Sequence, residues 1–136
     1  MKKPRSPRFP TRAFTLLEMS LVIMVLMALI STGLFVSTQF DNWKLARQAS
    51  ENLRLVYSAQ RMYLADNPTA AVTSLTAALL IPYLPNQAVA IPTVKSLTGA
   101  TLGIIVNVSP PVVDAGAEVA YDPSPTTRDS LWDVGQ

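Results

Sequence analysis

The chain contains no cysteine and no histidine. Thiol nucleophiles, Cys zinc sites, imidazole metal ligands and histidine-based triads are therefore excluded by inventory, whatever the fold. The missing cysteines also remove the disulfide staple on which many small exported domains depend, so stability has to come from packing. Only five glycines are present, at Gly33, Gly99, Gly103, Gly116 and Gly135, each alone, and no Gly-rich phosphate loop exists. No acid/base pair, nucleophile or metal cluster can be named, and an enzyme is not expected.

Charge is also missing from one long stretch. Residues 19–40 hold no charged side chain, and most are Leu, Val, Ile, Met, Ala or Phe. About 20 apolar residues at roughly 1.5 Å each cover a bilayer core of about 30 Å, so this run reads as a membrane-embedded helix. Just inside it stands one carboxylate, Glu18. On insertion scales such a charge costs a few kcal/mol unless it is paired or reaches the interface.

The basic balance of the chain is local. Net charge is +2, yet five of eleven cations (Lys2, Lys3, Arg5, Arg8, Arg12) lie within residues 1–13. Beyond them six cations face nine acids, a balance of −3, so the basic excess belongs to a leader and nucleic-acid binding through a basic patch is not supported. Proline at positions 4, 7 and 10 opposes helix in that leader, while its positive charge holds this end in the cytoplasm and sends the rest across. An ordinary secretory signal would read similarly at its start. The apolar run here exceeds the usual 7 to 15 residues, however, and no A-x-A signal follows near residues 37–39.

At AFTLLE, residues 13–18, the combination becomes specific. A short basic leader, a small residue, and then Phe-Thr-Leu-Leu-Glu opening a hydrophobic helix resembles the amino terminus of type IV prepilins and of the pseudopilins of type II secretion, most of all a major pseudopilin. The resemblance implies that a prepilin peptidase cuts between Ala13 and Phe14, where the family most often has Gly before the cut. Phe14 then becomes an N-methylated terminus, and Glu18 is the assembly carboxylate that meets the terminal amine of a neighbouring subunit. It further implies copies of the chain and other pseudopilins as partners, a secretion assembly platform, and a single-pass protein of the bacterial inner membrane with a cytoplasmic amino terminus and a periplasmic head. The function implied is a structural filament subunit. The alternatives are a type IV or competence (minor) pilin, and a membrane-tethered extracytoplasmic binding domain that never polymerises. Thr15-Leu16-Leu17-Glu18 also fits the helix capping box S/T-x-x-E, which gives Glu18 a purely local role.

Beyond the apolar run the helix is expected to continue. Phe40, Trp43, Ala46, Ala49, Leu53, Val56, Ala59 and Tyr63 recur every three or four residues, with charges on the other sides. Asp66-Asn67-Pro68 ends it, since a residue before proline is steered out of helical geometry. One helix of about 50 residues results, half membrane segment and half amphipathic stem, with Gly33 as a point either of bending or of close helix packing.

Residues 68–136 read as a small head rich in Pro, Thr, Val and Ala. A short helix is expected over residues 74–81, with Tyr83 and Leu84 packing back on the stem, and a strand over residues 102–108. Shorter strand candidates lie at 118–121 and 131–134, giving a three-stranded antiparallel sheet on the helix. The expected class is α+β and pilin-like, divided as a cleaved leader 1–13, an assembly helix 14–40, a stem 41–67 and a head 68–136. No cofactor is expected, although major pseudopilins often bind calcium in this terminal loop. Asp122, Asp129 and Asp133 are the candidates here, without the compact D-x-D-x-D spacing calcium loops favour. The Asn107-Val108-Ser109 sequon carries little meaning in a bacterial context.

Overall fold

The computed structural model describes residues 15–124, 126 and 129–135. The class is α+β: one long amino-terminal helix, α1 (Leu16–Asp66), precedes a small domain with two short antiparallel sheets. The chain divides into two compact units, Met1–Thr38 and Gln39–Gln136.

Within the first unit, α1 is exposed along its described length and is long and apolar enough to cross a membrane. Its hydroxyls do not stand idle. Ser20, Ser31, Thr32 and Thr38 donate to the carbonyls of Leu17, Met27, Ala28 and Phe35 at 2.8 to 2.9 Å. Returning each hydroxyl proton to its own backbone spares an apolar surround the several kcal/mol that an unsatisfied group costs there. Helical structure runs through Gly33 without interruption, and a Cβ at that position would meet nothing.

In the second unit, α1 buries one stripe: Ala46, Ala49, Ser50, Leu53, Val56, Ala59 and Gln60. Two clusters form along it. Ala46, Ala49 and Leu53 pack with Val94, Val113, Trp132 and Val134, while Val56 and Ala59 pack with Leu75, Leu80, Leu84 and Val106. Helical spacing predicts a stripe beginning at Phe40, but Phe40 and Trp43 are exposed. The head's apolar residues come down on the helix from Leu45 onward, and periodicity cannot reveal where a partner surface ends.

After Asp66 the chain turns at Asn67. A 3₁₀ turn at Val72–Ser74 leads to the one-turn helix α2 (Ala77–Leu80) and a second 3₁₀ turn at Ile81–Tyr83. The expected helix over 74–81 is thus reduced to four residues, since Pro82 limits it from one side and Thr76, in an extended conformation, from the other. Tyr83 returns to the stem, meeting Tyr63 edge-on at 5.7 Å and donating its phenol proton to Asp66 Oδ2 at 2.9 Å. That bond to the carboxylate, with lesser help from burial and from the charge of Asp66, raises the Tyr83 pKa.

The strand expected over 102–108 divides at Gly103. β1 (Val94–Lys95) pairs with β2 (Thr101–Leu102), Val94 opposite Leu102; β3 (Ile104–Ile105) pairs with β4 (Val112–Val113), Ile104 opposite Val113. Two two-stranded sheets replace the expected single three-stranded one. Gly103, whose carbonyl accepts from Asp114 N–H at 3.0 Å, lies where the chain leaves one pair and enters the other. Residues 118–121 contribute only an isolated bridge, Asp114 to Ala120. Residues 131–134 form no strand: Ser130, Trp132 and Gly135 take positive φ, and Trp132 is buried on the helix instead.

Candidate functional site

The amino-terminal site is built on the first turn of α1. Thr15 Oγ1 accepts the backbone N–H of Glu18 at 3.2 Å, and Thr15 C=O accepts from Met19 N–H at 3.1 Å. Half of the capping box is therefore formed, the threonine satisfying one of the free donors of the helix start. The reciprocal half is not: among the described residues, the Glu18 carboxylate makes no hydrogen bond and no ion pair. It is exposed and is the only ionisable side chain from residue 15 to residue 40. The helix macrodipole favours a negative charge at this end, by some tenths of a kcal/mol up to about 1. The expected cut between Ala13 and Phe14, the expected methylation of Phe14 and the expected leader 1–13 lie outside the described residues.

The calcium candidates have other work. Asp122 Oδ1 accepts from Ser124 N–H at 3.0 Å and from its hydroxyl, Asp129 Oδ1 accepts from Leu131 N–H at 3.0 Å, and Asp133 Oδ1 accepts from Gly135 N–H. Asp114 does the same for Gly116 N–H at 2.7 Å. All four follow one pattern, a side chain capping the amide two residues on, which stabilises a turn in place of backbone pairing. Among the described residues no group of three carboxylates is gathered that could hold a metal ion. Asp133 differs from the others in that its Oδ2 is buried without a hydrogen-bond partner. Burial raises its pKa, with the charges of Asp129 and Asp122 adding to the effect against the lowering action of the Gly135 and Ser130 amides.

Two stem residues that periodicity does not single out tie the head to α1. Gln60 is fully buried, and its Nε2 donates to Val106 O at 3.0 Å and Val108 O at 2.8 Å. Arg54 reaches the carboxy-terminal segment, Nε donating to Val134 O at 3.1 Å and Nη2 to Ser130 Oγ at 2.8 Å. The available signal was weak: a glutamine on the apolar side of a helix, between Val56 and Tyr63, is the residue type that bridges carbonyls.

Comparison of the chain with protein-family models, with curated proteins and with solved structures finds no match in any of the three.

Proposed function

We infer that the chain is a structural subunit of a type IV pilus-like filament, of the kind that forms a type II secretion pseudopilus. In this reading it enters the inner membrane, loses residues 1–13 to a prepilin peptidase, is N-methylated at Phe14 and polymerises through residues 14–40. The observation that carries the reading is Glu18: an exposed carboxylate at the first turn of an apolar, membrane-length helix, without a hydrogen bond or ion pair among the described residues. A bundle of such helices has a low dielectric, where a carboxylate and a terminal amine are each costly to bury alone. Pairing them between neighbouring copies lowers both costs and sets an axial register. Other pseudopilins and an assembly platform are the partners this function requires.

The test is mass spectrometry of the chain extracted from membranes. An N-methyl-Phe14 terminus is expected; a chain that retains Met1 to Ala13 supports instead a tethered domain that never polymerises.

A further inference from the structure

One side of the stem carries a groove of about 390 Å³ lined by Arg54, Tyr57, Ser58, Arg61, Met62 and Ala65. Met62 in its lining is 47% exposed, and Leu55, seven residues before it and outside the groove, is 43% exposed. Arg54 and Arg61, also seven apart, lie on the same side, because positions one heptad apart drift by only about 20° on a straight helix. Both cations are held in place. Arg54 is fixed by Val134 O and Ser130 Oγ, and the Arg61 guanidinium carbon lies 5.8 Å from the Tyr57 ring centre. Neither forms an ion pair among the described residues.

A complementary feature stands elsewhere on the same chain. The turn over residues 114–120 presents Val119, 59% exposed, beside the exposed Glu118. Among the described residues, the Glu118 carboxylate has neither hydrogen bond nor ion pair. The turn is closed by Ala115 N–H on Val119 O at 2.7 Å and Val119 N–H on Gly116 O at 3.2 Å. It holds Ala117 and Glu118 at φ of 56° and 60°, a left-handed conformation that non-glycine residues adopt only where the surroundings impose it. A preformed acidic turn with an apolar tip matches a preformed basic groove with an exposed methionine.

We propose that the 114–120 turn of one copy docks in the Arg54–Arg61 groove of the next, with Glu118 between the two guanidinium groups and Val119 on Met62. Charge complementarity selects the occupant, since one free carboxylate beside an apolar tip meets two cations beside an exposed methionine, and like charges would suppress mismatched partners. The contact joins two different surfaces, so it is heterologous and leaves a free turn and a free groove at the ends of every assembly. Such contacts propagate into open chains when the rotation does not close. It rests on the filament reading in bringing copies side by side.

The test uses the full-length chain in its membrane. Because the protein has no cysteine, two single-cysteine variants, Ser58→Cys and Ala117→Cys, carried on copies of different size, report only contacts between copies. Mild oxidation is expected to give the mixed 58–117 disulfide, and to give none between Ser58→Cys and Val89→Cys. Adding Glu118→Arg should lower the 58–117 yield at least fivefold, and further adding Arg61→Glu should restore it. Absence of the disulfide, or a yield indifferent to Glu118→Arg, overturns the proposal. So does an Arg61→Glu chain that loses assembly and is not rescued by Glu118→Arg, which assigns the groove to a different protein. If the chain polymerises with an N-methyl-Phe14 terminus yet gives no 58–117 disulfide, the filament reading stands and this contact is wrong. If the charge-dependent disulfide forms in chains that keep residues 1–13 and never polymerise, the contact stands and the filament reading fails.

Discussion

Thr15 caps the long helix by accepting the amide of Glu18 at 3.2 Å, while the Glu18 carboxylate makes no return bond among the described residues. In a full capping box each residue serves the other; here only the threonine serves. Under the filament proposal, local stability and contact between copies fall to different side chains in the same turn. They can be removed separately.

Glu18→Gln keeps side-chain length and Thr15 keeps its bond, so insertion, cleavage and helix content should be unchanged. Filament yield should fall at least tenfold, because the terminal amine of a neighbour loses its counter-charge. Thr15→Ala should do the reverse, weakening the first turn by about 1 kcal/mol and lowering filament yield far less. Electron microscopy of sheared filaments and circular dichroism of the extracted chains check both arms. Normal filaments from Glu18→Gln would confine its role to its own helix.

Gln60→Leu should destabilise the unit Gln39–Gln136 by about 2 kcal/mol, because the buried Val106 O and the part-buried Val108 O would lose their shared donor. A urea titration of the chain from Gln39 onward should show a lower midpoint with an unchanged slope. An unaltered midpoint would mean that water replaces the amide without penalty.

At Gly135 the positive φ of 73° and the surroundings both require glycine. An added Cβ would clash with Ser130 Oγ and stand 2.9 Å from Arg54 Nη2, the pair that makes one of the bonds joining the carboxy-terminal segment to the stem. Gly135→Ala should cost about 1 to 2 kcal/mol and expose Trp132, which is 4% exposed in the native chain. Tryptophan emission shifted to longer wavelength would report it; a native spectrum and native melting midpoint would refute it.

Asp133 supplies a pH dependence. Its pKa is raised by burial, so the fold favours the protonated acid. That contribution is fully present below the ordinary carboxylate range near pH 4 and is lost as pH rises through the raised value. Asp133→Asn keeps an acceptor for the Gly135 amide and removes the titration. Thermal melts should therefore place the variant above the native chain at pH 7, with the gap closing by about pH 3. A gap that widens on acidification would reverse the assignment.

The membrane-length run, the lone Glu18, the stem stripe from Ala46 to Ala59 and the stop at Asp66 are all local matters, set by hydropathy, helical period and the proline at 68. They are legible without a fold because each depends on neighbours three or four residues away. The α+β class follows from the same patterns. The head was less legible. Residues 102–108 are rich in β-branched residues and read as one strand, and only the placement of β1 and β4 on either side of Gly103 shows that they serve two sheets. Residues 131–134 have the composition of a strand, yet Trp132 is buried with Ala46 and Leu53, and aspartate side chains satisfy the turn amides that pairing would have used. Gln60 and Arg54 are unremarkable helix residues until Val106, Val108, Ser130 and Val134 arrive from 46 to 80 residues away. Period and hydropathy act along the chain, whereas strand partners and buried hydrogen bonds are chosen between segments far apart in it, and only the tertiary structure brings those together.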